Sequence, residues 1–468
     1  MIDPPTGFIQ LAYVVAASLF IVGLRGLTSP ATARRGNLLA ALGMLVAVTA
    51  TLWDRAVVNY PMILTAMAAG AGVGTIVARR VKMTAMPQMV GLLNGLGGGA
   101  SMLVAVGEGW RLMALTSLIP IGTLLGGLIG LLIGAVTFSG SLIAFGKLQG
   151  LITGAPVTFP LQQPLNALLF VAFLAGAGFL IHGPLDAAIG LALVGIALLL
   201  GILLVLPIGG ADMPVVISLL NSFSGLAASA VGFVFTNHAL IIAGALVGAS
   251  GVILTRIMCR AMNRSLANVL FSGFGTGDKL TGAAIPARAD LRVRAIDAEE
   301  GAMILAYARS VIIVPGYGMA AAQAQHVVRE LAEQLSKRGI NVKYAIHPVA
   351  GRMPGHMNVL LAEAGVPYSE LYDMEAINPQ FEKTDVALVV GANDIVNPAA
   401  RHDPASPIFG MPILDVDKAR TVMVIKRSLN PGFAGIDNEL FYDDKTLMLF
   451  GHAREVLTAL VNEVKQLP

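Results

Sequence analysis

Charge is what this 468-residue sequence has least of. Only 13% of its residues are Asp, Glu, Lys or Arg, about half the share of roughly 25% found in soluble domains. Hydrophobic residues make up 56% and the mean hydropathy is +0.75, which excludes an ordinary water-soluble enzyme. Cysteine is nearly absent. Cys259 alone rules out an internal disulfide framework and suits a reducing compartment. Acid is missing from one region above all: residues 1–270 hold 12 Lys and Arg against 5 Asp and Glu, whereas residues 271–468 hold 19 against 23. The chain therefore joins a greasy, sparsely charged half to a half of normal soluble composition. Its pI near 9.0 follows from membrane topology and implies no nucleic-acid partner.

What the first half does contain is long apolar runs. A bilayer core of about 30 Å is crossed by about 20 apolar residues in a helix. By that length nine segments read as spans: 8–25, 37–53, 60–78, 88–107, 111–136, 165–181, 185–207, 213–235 and 238–258. The first is no signal peptide, because Asp3 precedes it, no basic stretch does, and further spans follow. With the N-terminus outside, the inside loops carry Arg25, Arg34, Arg35, Arg79, Arg80, Lys82, Lys147, Arg256, Arg260 and Arg264, and the outside loops only Arg55 and Arg111. That bias puts the second half in the cytoplasm. The expectation is a multi-pass protein of the inner (cytoplasmic) membrane with its N-terminus outside.

With charge so scarce inside the spans, Asn94, Ser141, Asp212, Asn221, Ser222, Ser224 and Ser229 are the residues to explain. Serines among small residues ordinarily bridge helices in a membrane bundle. A carboxylate such as Asp212, near the inner end of the eighth span, is costly there and usually functional. Asn221 lies about two and a half helical turns further in, so the two mark the start of a hydrated path. No histidine falls mid-span, since His182 and His238 sit at outside turns. Gly70-Ala-Gly-Val-Gly74 and Gly97–Gly99 look like phosphate loops but lie in apolar spans, where close helix packing accounts for them.

Residues 265–300 read as a linker and hinge, with Gly273-Phe-Gly-Thr-Gly277 and the charged stretch Arg292–Glu300. Beyond it strands alternate with helices, the pattern of a parallel sheet. Strands are expected at 310–315, 342–346, 386–390, 422–425 and 447–450, an amphipathic helix at 320–338 ending at Gly339, and a closing helix at 452–466. Gly316-Tyr-Gly-Met-Ala-Ala321 lies between the first strand and that first helix. A G-x-G-x-x-A so placed is a dinucleotide signature. Gly316 serves the tight turn, Gly318 the approach of backbone to a pyrophosphate, and Ala321 the helix–strand packing. The helix N-terminus faces the anion.

An NAD site places Asp or Glu at the end of its second strand, on the ribose 2′-hydroxyl. Here that strand ends Tyr344-Ala-Ile-His347-Pro, with no acid. Val424-Ile-Lys426-Arg427-Ser428 leaves a later strand with two cations and a hydroxyl. Those groups suit a 2′-phosphate and favour NADP over NAD; the bland alternative is a solvated loop pair. Val349-Ala-Gly-Arg352-Met-Pro-Gly-His356 offers an Arg and glycines at the same sheet edge. Gly391-Ala-Asn-Asp394 offers a carboxylate whose ordinary role would be an Asx turn or a helix cap. Pro431-Gly-Phe-Ala-Gly-Ile-Asp-Asn438 reads as a lid. There is no second nucleotide fingerprint, so a redox reaction needs its other substrate on a partner chain. No residues are assigned to a metal.

At this point the chain resembles a family, the β subunits of proton-translocating NAD(P) transhydrogenases, over essentially its whole length. The matching motifs are PGYGMAAAQAQ at 315–325, VAGRMPGHMNVLLAEA at 349–364, GAND at 391–394 and KRSLNPGFAG at 426–435. In the membrane half they are MPQMV at 86–90, FSGSLIAFGKL at 138–148, GADMP at 210–214 and NSFSG at 221–225. The resemblance implies a polytopic α-helical membrane domain of nine spans (1–264), the hinge (265–300) and a cytoplasmic α/β Rossmann-like NADP(H)-binding domain (301–468). It implies reversible hydride transfer between NADP(H) on this chain and NAD(H) on an α subunit, coupled to proton translocation. The α subunit would add further membrane helices, in a dimer of αβ units.

By motif, nucleotide roles fall on Gly316, Tyr317, Gly318, Met319 and Ala320, and on Ala350, Gly351, Arg352 and Met353. They fall also on Gly391, Ala392, Asn393 and Asp394, on Lys426, Arg427 and Ser428, and on Gly432, Phe433, Ala434 and Gly435. Coupling and proton-path roles fall on Asp394, Asp212, Asn221, Asn94 and Ser141. Two positions depart from the pattern. Asn94 stands where many members carry His, and an amide carries no proton near neutral pH. Phe433 stands where Tyr is frequent. A transporter or channel gated by a nucleotide-sensing domain is the competing reading. It requires filter loops or interrupted helices at mid-membrane, and no re-entrant filter sequence is present.

Overall fold

The computed structural model describes residues 6–467 except 28, 54–58, 82–84, 115–119, 155, 210–211, 263–264, 272–292, 354, 407 and 433. The glycine-rich segment 273–277 and Phe433 therefore lie outside the described residues. The chain forms two compact units, one up to residue 255 and one from residue 275, with 256–274 divided between them.

Among the described residues, nine helices are long and apolar enough to cross a membrane. They are α1 (Thr6–Gly26), α2 (Pro30–Leu52), α3 (Tyr60–Arg80), α4 (Met86–Met113), α5 (Ile121–Gln149), α6 (Gln162–His182), α7 (Ala187–Val205), α8 (Met213–Val234) and α9 (His238–Ala261); α10 (Leu266–Phe271) is short. At α3 and α7 a side chain caps the bare N–H groups of the first turn. Asn59 accepts from the Met62 N–H at α3, and Asp186 from those of Ala188 and Ile189 at α7.

The fifth span differs from its expected range of 111–136. Hydropathy drops at Glu108–Arg111 and again at Phe138-Ser-Gly-Ser, yet both stretches stay helical, the first within α4 and the second within α5. The Glu108 carboxylate is neutralised where it lies, accepting from Arg111 Nε and Nη2 at 2.7 and 2.6 Å. α5 stops where Gly150 turns left-handed at φ +79°. Lys147, expected in a loop, consequently lies inside α5 and is only 5% exposed. Its ammonium donates to the carbonyls of Leu206 (2.5 Å) and Ile208 (2.8 Å), residues just past α7.

Glycine sets the close crossings. A Cβ at Gly98 or Gly134 would sit 2.9 or 2.8 Å from the other's carbonyl oxygen, so α4 and α5 meet backbone to backbone. A Cβ at Gly225 would meet the Gly248 nitrogen at 2.4 Å, which does the same for α8 and α9. The cluster Gly70–Gly74 behaves otherwise. Its glycines have nothing within 4 Å and α3 buries no residue, so packing among the described residues does not account for it.

The second unit is a seven-stranded parallel sheet flanked by helices. Its strands are β1 (Arg294–Ala295), β2 (Ser310–Pro315), β3 (Asn341–Ile346), β4 (Leu371–Asp373), β5 (Val386–Val390), β6 (Thr421–Lys426) and β7 (Thr446–Phe450). The helices are α11 (Ala298–Tyr307), α12 (Tyr317–Ala321), α13 (Gln325–Lys337), α14 (His356–Glu363), α15 (Met374–Ile377), α16 (Ala399–His402) and α17 (Ala453–Gln466). The order is β1-β7-β6-β5-β2-β3-β4, every neighbouring pair parallel. Val311–Val314, Val386–Val390 and Val422–Ile425 are buried without a break, as strands covered on both faces must be. Apart from the edge pair β1, this is the strand order of doubly wound dinucleotide-binding sheets.

The expected helix 320–338 is two helices. Ala324 N–H bonds to Met319 O and Gln323 N–H to Ala320 O, with Gln323 at φ +50°. That closure ends α12 after five residues, and α13 restarts at Gln325. A glutamine occupies the left-handed position where glycine is usual, so no glycine announces the break.

Candidate functional site

Successive strands are added to one side of β2 up to β4 and to its other side from β5 onward, and ligands of such sheets sit beyond the strand ends at that switch point. Gly316–Ala320 follows β2 there, and Gly391–Asp394 follows β5. The two turns interlock. Gly316 N–H donates to Val390 O (2.9 Å) and Gly318 N–H to Gly391 O (2.8 Å). A Cβ at Gly316 would lie 2.4 Å from the Ala392 N and Cα, and one at Gly318 would lie 2.6 Å from the Gly391 Cα. Gly316 is extended (φ −119°, ψ −178°), so its glycine serves this contact rather than a tight turn. Gly391, at φ +65°, is the member that needs left-handed backbone.

The expected lid packs down on the same turn. Asp394 Oδ2 accepts from the Ala434 N–H at 2.9 Å, so this carboxylate binds a loop forty residues away rather than capping its own turn. Asn438 Nδ2 donates to Asn393 O and Oδ1 at 3.1 and 3.0 Å, and Asn397 Nδ2 to Asp437 O at 2.9 Å. At Gly432 a Cβ would fall 2.5 Å from both Asn393 Nδ2 and Asp394 Oδ1. Gly435 supplies a left-handed φ of +71°. Asn393 Nδ2 is buried and makes no hydrogen bond among the described residues. Asp394→Ala removes the acceptor that holds the lid. Hydrogen exchange at the Ala434 amide should quicken by roughly 10- to 100-fold, the worth of a bond to a charged group, while exchange in β5 stays put.

Of the two cations after β6, only one remains outward. Lys426 turns in, donating to Asn430 O and lying 5.0 Å from the Phe441 ring centroid. Burial holds its ammonium below the ordinary lysine range, against the opposing pull of Asp394 and Asp437. Arg427 is exposed, with Ser428 half-buried beside it. Beyond β3, the Arg352 guanidinium stacks over the Tyr317 ring at 4.7 Å, joining the 350–353 turn to the first glycine turn. Met319, Ala320, Ala350 and Ala392 are buried beneath, and Met353 is half-buried. His347 is buried too, its Nε2 2.8 Å from Pro412 O and its Nδ1 accepting from the Val349 N–H. Burial drives it down to about 4.

In the membrane half a polar node joins three helices. Ser224 Oγ donates to Asn94 Oδ1 (2.7 Å), and Asn94 Nδ2 donates to Ser141 Oγ (3.1 Å), linking α8, α4 and α5. Asp212 is 7% exposed and stands at the N-cap of α8. Asn221 takes no part in the node and is exposed on α8. Ser222 and Ser229 bond to the Gly248 and Ile241 carbonyls of α9, the helix-bridging role ordinary for serine.

A family model described as NAD(P) transhydrogenase beta subunit matches residues 9–463. The chain belongs to that family. Two curated relatives named NAD(P) transhydrogenase subunit beta, from Rhodospirillum rubrum and from a defined strain of it, are each 53% identical over 455 residues, 96% of this chain and 97% of the relative. The transhydrogenase subunit thus aligns across both its membrane and its soluble unit. Ser224, Asn438 and His356 lie in stretches that the sequence singles out, but the pairing of Ser224 with Asn94 and of Asn438 with Asn393 does not follow from it. For Ser224 the signals were polarity inside an apolar span and its place in NSFSG at 221–225. For His356 the signal was its place seven residues after Val349 in an otherwise glycine-rich loop.

Proposed function

We propose that this chain binds NADP(H) at the β2–β5 edge of its sheet and exchanges hydride with NAD(H) held on an α subunit. The transfer is coupled to proton movement through its membrane helices. The observation that carries the nucleotide reading is the interlocked pair of glycine turns at the switch point between β2 and β5, closed over by the 431–438 lid. The donor chemistry fits: an exposed Arg427, Ser428, the Arg352 guanidinium and the buried Asn393 amide all favour an anionic ligand, and no acid follows β3 to select an unphosphorylated ribose. Bound NADP(H) supplies or accepts the hydride. The chain's own groups hold and orient it, exclude water through the lid, and carry Asp394 beside it.

The proton path uses Asp212 at the mouth, the Asn94–Ser141–Ser224 node, and Asn221 on the face that α-subunit helices would complete. Asn94 itself binds no proton, so water or a partner group relays through the node. Protonation near Asp212 and Asn221 shifts the soluble unit between occluded and open states, sensed by Asp394, a coupling of about 1–3 kcal/mol. The N-terminus lies outside and the nucleotide domain in the cytoplasm of an inner membrane, with two αβ units per assembly. Proton uptake is from outside when NADH reduces NADP⁺.

The test is reconstitution in vesicles. This chain alone should be inactive, and adding an NAD-binding partner should give hydride transfer with proton pumping. Asp212→Asn and Asn221→Leu should slow both together. Arg427→Ala should weaken NADPH binding by about 1.5–3 kcal/mol, one charge-assisted hydrogen bond, with little effect on NADH. Equal affinity of the unmutated chain for NADH and NADPH would overturn the nucleotide assignment, and full pumping in both membrane variants would move the path elsewhere.

A further inference from the structure

His356 lies at the first position of α14 and is 1% exposed. The turn in front of it carries Arg352. His356 Nδ1 accepts the Arg352 N–H at 2.9 Å, so the neutral ring carries its proton on Nε2. That Nε2 is buried and has no hydrogen-bond partner among the described residues. The ring therefore makes one hydrogen bond through its side chain, to the backbone of Arg352.

Gly351 is matched to this ring twice over. It adopts φ +102°, a region glycine occupies without strain, and a Cβ there would sit 2.4 Å from His356 Nδ1 and 2.7 Å from its Cβ. The imidazole fills the space that a side chain at 351 would need. The backbone is held as well: His356 N–H bonds to Met353 O at 3.2 Å, and Met357 and Leu360 of the same helix are buried.

We infer that His356 is a positioning residue for the nucleotide loop. Its Nδ1 holds the Arg352 N–H, fixes the 350–353 turn, and so sets where the Arg352 guanidinium lies over Tyr317. The inference rests on the reading of this edge as the NADP(H) site. It requires an unprotonated ring, and burial with the adjacent Arg352 charge holds His356 at about 4.

Three variants of the full chain, purified with its partner, separate the hydrogen bond from the bulk of the ring. His356→Asn keeps an acceptor oxygen at about the place of Nδ1, whereas His356→Leu keeps bulk without an acceptor. Gly351→Ala displaces the ring. NADPH affinity, read by nucleotide fluorescence, should fall about tenfold in His356→Leu and Gly351→Ala, the worth of one hydrogen bond, and stay within about twofold in His356→Asn. Nitrogen-15 histidine spectra of the unmutated chain should contain a neutral Nε2–H imidazole, absent from His356→Asn, that does not titrate between pH 8 and 5. Binding equal to the unmutated chain in all three variants overturns the inference. So does His356→Asn as weak as His356→Leu, or an Nδ1–H tautomer. If His356→Leu fails to fold, the tautomer and the His356→Asn affinity still decide. An unmutated chain that binds no NADPH overturns the nucleotide reading itself, a separate result.

Discussion

Gly316→Ala should unfold or empty the nucleotide edge, with a loss of about 2–6 kcal/mol. The added methyl would lie within 2.5 Å of three backbone atoms, the N and Cα of Ala392 and the O of Gly391. Backbone cannot rotate aside as a flexible side chain would. Relief means sliding β2 and its turn away from the end of β5, which breaks the Gly316–Val390 and Gly318–Gly391 hydrogen bonds. Overpacking costs about 1–3 kcal/mol, and each broken bond adds roughly 0.5–1.5 kcal/mol. Gly339→Ala is the control. Gly339 has open space around it and only a left-handed φ of +82°, so its cost should be about 1–2 kcal/mol. Amide exchange in β2 and β5 of the purified chain, together with NADPH binding, measures both. Equal protection in the two variants would show that the turns do not bear on one another.

Acid should destabilise the soluble unit from about pH 6.5 downward, through two buried histidines. His347 and His356 are both held at about 4 by burial, His356 also by Arg352, against an unfolded value near 6.5. Between about pH 6.5 and 4 the unfolded chain takes up protons that the folded chain refuses, so stability rises with pH across that window and falls on acidification. Each shift of about two and a half units is worth roughly 3 kcal/mol, and the pair together about 6–7 kcal/mol. Below pH 4 the two histidines contribute no further slope. Asp385 then takes over, since the N–H of Arg309, with help from Ser310 and Arg420, holds its carboxyl low, and that stabilisation is lost only under stronger acid. Denaturant melts monitored by exchange in β5 should show the loss by pH 5, and His356→Asn should remove about half of it. Stability that stays flat from pH 7 to 4.5 would mean that neither ring is held neutral by the fold.

Most of the architecture was legible because burial leaves a mark in composition. The strands β2, β5 and β6 lie under helices on both faces, so they read as unbroken apolar runs within one residue of their observed ends. β1 and β4, with two and three residues, are too short to show any period. The end of α12 was hidden because Gln323 rather than glycine turns left-handed there. Span five was misplaced for an electrostatic reason: hydropathy counts Glu108 and Lys147 as exposed charges, whereas both are buried with partners, Glu108 with the exposed Arg111 and Lys147 with two carbonyls. At the site, sequence placed the loops on one edge but not their mutual contacts. Asp394 with Ala434, and Asn393 with Asn438, meet across 40 and 45 residues, which no local pattern records. The glycine at 316 was assigned to a turn when its purpose is an approach between two chains of backbone.

The interlock of the two glycine turns also bears on kinetics. Glycine-to-backbone contact makes the floor of the site part of the sheet, so it opens only when the sheet does. The roof is different, because the 431–438 segment rests on a few side-chain bonds from Asn393, Asp394, Asn397 and Asn438. If the proposed nucleotide binds there, it would enter and leave on the side of the roof, and a substitution in the roof should change how long it stays without changing how the protein melts.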